Sequence, residues 1–131
     1  MEITVSQEQG RTPVSVLHIK GEMTADTAEP FERAAREAIE GGATHLALDL
    51  TDVPYIGSFG IRSLNNVLNA LHAAADGYGE ADLRKALRGG AKSPRLKLVN
   101  PNAQCLKVLE TSGFDMYLES HRSVKDAVAS F

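Results

Sequence analysis

Between Leu46 and Leu71 the apolar residues change their period once, and that change constrains the fold more than anything else in the chain. Leu46, Leu48 and Leu50 alternate with Ala47 and Asp49, the period of a strand. A short turn through Pro54 and Gly57 follows. Ile61, Leu64, Leu68 and Leu71 then recur three or four residues apart, one stripe of a helix. A strand that feeds a helix within a few residues calls for a crossover connection, and crossovers join parallel strands.

The same alternation runs through the rest of the chain. Ile3 and Val5 suggest a first strand, and the polar Gln7–Pro13 stretch reads as a turn. Val14, Val16 and His18 alternate with Ser15, Leu17 and Ile19, a strand with both faces covered. Thr27 is expected to cap a helix carrying Ala28, Phe31, Ala35 and Ala38, with Pro30 in its first turn and Gly41-Gly42 as its stop. Leu96, Leu98 and Val99 mark a fourth strand. Asn100-Pro101 is expected to cap and open the next helix, with Leu106, Val108 and Leu109 facing the core and Gly113 ending it. Phe114–Leu118 reads as a fifth strand, and Ser123 opens a last helix with Val124, Ala127, Val128 and Phe131 on one stripe. The expected class is α/β, order ββαβαβαβα, with a mixed, mostly parallel sheet and helices packed on it.

A chain of 131 residues can bury about two thirds of its unfolded surface in one domain, so a single unit over residues 1–131 is expected. Residues 76–93 are expected to be an insertion or a mobile loop. Within it Glu80–Arg88 can make a short helix with Leu83 and Leu87 one turn apart, and Arg84, Lys85, Arg88, Lys92, Arg95 and Lys97 make the region locally basic.

Several function classes are disfavoured. Fourteen basic against seventeen acidic residues, a formal charge of −3, give no reason to expect nucleic acid. No apolar run reaches the ~20 residues of a membrane span. Met1 leads into Ile3 and Val5 without a leader pattern, and Cys105 is the sole cysteine, so a cytoplasmic setting is expected. His18, His45, His72 and His121 stand singly, without metal-ligand spacing. Ile56 occupies the first glycine position of a G-x-S-x-G elbow. No enzyme activity, metal or cofactor is expected.

The chemistry of interest gathers at Ser58. It stands where the second helix should begin, at the dipole-positive end. Serine there is a common plain cap. It is also a place where a phosphate would be received by unpaired N–H groups without unfolding the domain. Gly57 suits a turn with positive φ, and Gly60 lets the first helical turn approach neighbouring backbone. Phe59 is either a buried plug or an exposed contact for a partner. Glu22 and Thr24 come to the same end of the sheet as Ser58 if the second and third strands run parallel.

These elements resemble the STAS family, specifically the bacterial anti-sigma-factor antagonists. The resemblance rests on Gly21-Glu22-Met23, on Asp49-Leu50-Thr51-Asp52-Val53, on Ile56-Gly57-Ser58-Phe59-Gly60-Ile61, on Leu96–Pro101 and on Val108–Phe114. It implies that Ser58 is the phosphoacceptor of a partner that is both serine kinase and anti-sigma factor, with a phosphatase to reverse the modification. It also implies that Glu22, Thr24, Gly57, Phe59, Gly60 and Arg62 surround the contact. The family turn usually reads Asp-Ser-Ser-Gly. Here Gly57 replaces the aspartate, Phe59 the second serine, and Thr24 an aspartate common after Gly-Glu-Leu. Those three changes point to an alternative, a STAS scaffold or transport-linked subunit that is not phosphorylated.

Overall fold

The computed structural model describes residues 1–131. Its strands are β1 (Glu2–Gln9), β2 (Pro13–Lys20), β3 (Leu46–Asp52), β4 (Leu96–Val99) and β5 (Glu119–His121). Its helices are α1 (Ala28–Glu40), α2 (Ser58–Asp76), α3 (Glu80–Ala86), α4 (Ala103–Ser112) and α5 (Val124–Ser130). The strands lie in one sheet in chain order. β1 and β2 form the antiparallel hairpin, and the β2–β3, β3–β4 and β4–β5 pairs are parallel. The expected α/β order is the observed one, with α3 added between α2 and β4.

Strand alternation divides the core. Leu17, Ile19, Leu46, Leu48, Leu50, Leu96 and Leu98 face one way and meet Phe31 of α1, Leu64, Leu68 and Leu71 of α2, and Cys105 and Leu109 of α4. Val14, Val16, Ala47 and Val99 face the other way and are covered by Ala127 and Val128 of α5. The sheet is thus sandwiched between four helices and one. Lys97 belongs to the smaller side and is buried. Its Nζ donates to Ser130 O and Oγ at 3.0 and 2.9 Å and stands 4.6 Å over the Phe131 ring, which anchors the end of α5.

Residues 76–93 carry α3, whose Leu83, together with Leu87 just beyond the helix, joins the main core. The region is less basic than its sequence suggests. Lys97 is buried, and Arg95 spends its guanidinium on Asp76 through two hydrogen bonds of 2.9 and 2.7 Å. His72, buried within α2, bonds Asp76 through Nδ1 at 2.7 Å and Ser93 through Nε2 at 2.8 Å. Ser93 Oγ accepts the N–H groups of Arg95 and Leu96. The segment is therefore tied to the body at both ends.

Local expectations are corrected at four places and refined at a fifth. Phe114–Leu118 is not a strand: Phe114–Met116 forms a 3-10 turn, and β5 begins at Glu119. An alternating strand would have buried Met116, which is 57% exposed, whereas Phe114 and Leu118 are buried one helical turn apart. Asn100 does not cap α4. Its N–H is bonded to His121 O and its φ is 52°, so the chain is still leaving the sheet there. The cap is Asn102, whose side chain accepts the Cys105 N–H at 2.8 Å. Leu106 is exposed, because the core face of α4 runs through Cys105 and Leu109 and position 106 turns away from it. Thr27 is the N-cap residue of α1 as expected, although its side chain makes no bond into that helix. Its hydroxyl donates to Glu22 O at 2.7 Å and accepts the Thr24 N–H, closing a 3-10 turn at Ala25–Thr27. Gly57 has φ −95°, not a positive φ.

Candidate functional site

The site is built where β3 leaves the sheet. Val53 and Ile56 bury their side chains, and Gly57 then caps α2, so Ser58 is the first helical residue and not the cap itself. It is exposed, and the first turn of α2 carries no acidic side chain. The N-terminal amides of an α-helix lack intrahelical acceptors, so this tip is electropositive.

Parallel pairing of β2 and β3 brings their ends together, as the sequence suggested for Glu22 and Thr24. The Met23 N–H donates to Tyr55 O, and the Gly57 N–H donates to Met23 O, both at 2.9 Å. The Glu22–Thr24 segment thus runs as one more strand-like rung beside the Ser58 turn. Gly60 makes the closeness possible. A Cβ there would stand 2.7 Å from Met23 O and 3.0 Å from Ile56 Cγ2, so no larger residue fits without displacing backbone. Gly60 is buried by this contact and is not itself a surface a partner would touch.

Phe59 is not a plug. It is 49% exposed, and the Arg62 guanidinium lies 5.5 Å from its ring centroid. Arg62 is exposed as well. On the other side of Ser58 stands Tyr55, 44% exposed, its ring beside Gly57. The sequence reading passed over Tyr55, because an aromatic residue in a turn gives no sign of its burial. The structure brings Glu22, Thr24, Phe59 and Arg62 around Ser58 and adds Tyr55 to them.

Sequence reasoning also missed what holds the turn. Gln104 of α4 accepts the Ile56 N–H at 3.1 Å and donates back to Ile56 O at 3.4 Å. Asn102 Nδ2 donates to Pro54 O at 3.2 Å and to Val53 O at 3.4 Å. The partners lie some fifty residues away in the chain, and no local pattern announces them. Burial pushes the Cys105 thiol up, and the thiol faces Val53 O at 3.6 Å inside the core.

Beneath the turn, burial would raise the Asp49 carboxyl, but hydrogen bonds from Thr51 and His18 outweigh it and hold the group below the ordinary carboxylate range. No group of three or more His, Cys, Asp or Glu side chains is arranged to hold a metal ion, and no helix is long and apolar enough to cross a membrane.

The family model described as STAS domain matches residues 5–75, more than half of the chain. The chain belongs to the STAS domain family. A search of curated protein sequences gives no match. Among solved structures, the fold is similar to an anti-sigma factor antagonist from Mycobacterium paratuberculosis at 20% identity and TM-score 0.68, covering 98% of this chain and 93% of that one. It is similar to the Bacillus cell fate determinant SpoIIAA in its phosphorylated form at 18% identity and TM-score 0.63, covering 97% and 96%. An anti-sigma-factor antagonist (STAS) domain protein from Planctomyces limnophilus matches at 17% identity and TM-score 0.64, covering 96% and 93%. At these identities the likeness establishes the shared fold.

Proposed function

We propose that this chain is a regulatory protein-binding module of the anti-sigma-factor antagonist kind, switched by phosphorylation of Ser58. The observation that carries the reading is the exposed Ser58 hydroxyl at the first position of α2, flanked by the exposed rings of Tyr55 and Phe59. Exposed aromatic side chains beside a rigid turn are suited to anchor a partner. The partner is an anti-sigma factor that is also the serine kinase, and a phosphatase restores the free hydroxyl. Glu22, Thr24, Gly57 and Arg62 supply the rim, and Gly60 permits its geometry.

Phosphorylation would act on the surface and leave the fold alone. A phosphoryl group adds about −1.5 to −2 charge and three acceptor oxygens, which the free amides of the first turn can receive. A partner covering Tyr55 and Phe59 would then have to desolvate a dianion with no counter-charge of its own. That costs several kcal/mol and is enough to release a moderate-affinity complex.

The test compares native protein with Ser58→Ala, each incubated with ATP and candidate serine kinases and followed by intact mass and by pull-down. One phosphate added in a Ser58-dependent way, with loss of the kinase-like partner, is the expected result. Partner capture that ignores both ATP and the substitution would replace the switch with a constitutive scaffold.

A further inference from the structure

On the face of the sheet away from α1–α4, three side chains on neighbouring strands form a hydrogen-bonded line. Ser6 Oγ of β1 lies 2.9 Å from His18 Nε2 of β2, and His18 Nδ1 lies 2.9 Å from Asp49 Oδ2 of β3. The carboxylate can only accept, so Nδ1 carries the ring proton and Nε2 is left to accept the Ser6 hydroxyl proton. The other carboxylate oxygen is held by Thr51, through its N–H at 3.1 Å and its hydroxyl at 2.6 Å. The carboxylate is thus oriented from both sides. The His18 side chain is 37% exposed, while α5 covers Val14, Val16, Ala47 and Val99 on the same face.

The geometry points to a nucleophilic acyl-transfer site, with Ser6 as nucleophile, His18 as general base and Asp49 as the positioning residue. The order of contacts, hydroxyl to Nε2 and carboxylate to Nδ1, is the one such chemistry requires. The sheet edge adds donors. The Ser15 N–H points toward β3, bonded to His45 O at 3.0 Å, so Val16 and His18 turn theirs toward Ser6 and Thr4. Val5 and Gln7 on the outer strand therefore direct their N–H groups to the open edge in the plane of the sheet, about 7 Å apart, so a single carbonyl oxygen can take only one of them.

The substrate class is a small carboxylic ester, which can approach because the His18 side chain is 37% exposed. In the first step Ser6 Oγ bonds to the ester carbonyl carbon while its proton passes to His18 Nε2. The ester C–O bond breaks, and the alcohol leaves with that proton. Water then attacks the acyl-serine carbonyl, giving up a proton through His18, and the carboxylic acid departs as Ser6 regains its hydrogen. This activity is independent of Ser58.

The full chain is incubated with p-nitrophenyl acetate and butyrate and, separately, with a fluorophosphonate, and the labelled residue is found by peptide mass. Release of nitrophenol above buffer and an adduct on Ser6 are expected. Ser6→Ala and His18→Gln should each lower the rate at least tenfold, with far-UV circular dichroism unchanged, and Ser58→Ala should leave it intact. Asp49→Asn should alter the tautomer seen in the His18 ring nitrogen shifts and reduce labelling at Ser6. An unchanged rate in Ser6→Ala, an adduct solely on other residues, or no release above buffer would overturn the assignment.

Discussion

Gln104 bonds both backbone groups of Ile56, accepting its N–H at 3.1 Å and donating a hydrogen bond to its carbonyl at 3.4 Å. One side chain of α4 thereby sets the course of the turn that presents Ser58. Ile56 is fully buried, so water cannot readily replace that partner. Gln104→Ala is expected to cost about 1–3 kcal/mol, the penalty of a buried backbone donor left unpaired. Chemical denaturation would measure the loss. A variant as stable as the native protein would show that the turn holds itself.

Gly60 and Gly57 should respond differently to alanine. In a helix the change to alanine ordinarily gains up to about 1 kcal/mol. At Gly60 the new methyl would meet Met23 O at 2.7 Å and Ile56 Cγ2 at 3.0 Å, and overpacking of that kind costs about 1–3 kcal/mol. Net destabilisation is expected, visible as a lower Tm. At Gly57 the nearest atom is Tyr55 Cε1 at 3.2 Å, a ring that can turn aside, and φ is negative. Gly57→Ala should lose less than about 1 kcal/mol, the usual difference between glycine and alanine at a cap.

Phe59→Ala separates binding from folding. Half of the ring is already in water, so stability should move by no more than about 0.5 kcal/mol. Partner affinity should fall at least about tenfold, since a central aromatic anchor contributes well over 1 kcal/mol. Titration calorimetry against the captured partner gives the comparison, and unchanged affinity would move the contact away from this turn.

Acid should weaken the α2–β4 junction through Asp76. Hydrogen bonds from Arg95, set against a burial effect of opposite sign and helped by His72, hold this carboxyl below its ordinary range. A carboxyl depressed in the folded state binds its proton more readily when unfolded. Its contribution is therefore complete above the unfolded value near pH 4 and disappears as pH falls through the lower folded value. Asp76→Asn should flatten the fall in stability across that window, measured by urea unfolding at stepped pH. An identical slope in both proteins would place the acid sensitivity elsewhere.

Much of this architecture is legible from short-range pattern. Leu46, Leu48 and Leu50 followed by Ile61, Leu64, Leu68 and Leu71 specify a strand and a helix because burial on one face imposes a period of two or of 3.6. Glycine at 41, 42 and 113 marks helix ends because few other residues leave a helix so cheaply. Ser58 at a helix start follows from the same logic, and so does the close approach at Gly60. Expectation failed where local signals compete. At Phe114–Leu118 an apolar run fits a strand or a turn equally well, and at Asn100 a sheet hydrogen bond outweighs a good capping residue.

What no local pattern holds is the meeting of distant side chains. Gln104 reaches Ile56, Arg95 reaches Asp76, and His18 joins Ser6 to Asp49 only because strand register and helix docking bring together residues separated by twelve to forty-eight positions. Exposure is decided the same way. Tyr55 and Phe59 are apolar enough for a core, and they lie in water because Met23, Val53 and Ile56 already fill the space beneath them. Periodicity reports which face of an element is buried, whereas a site depends on which elements end side by side, and that is a property of the assembled sheet.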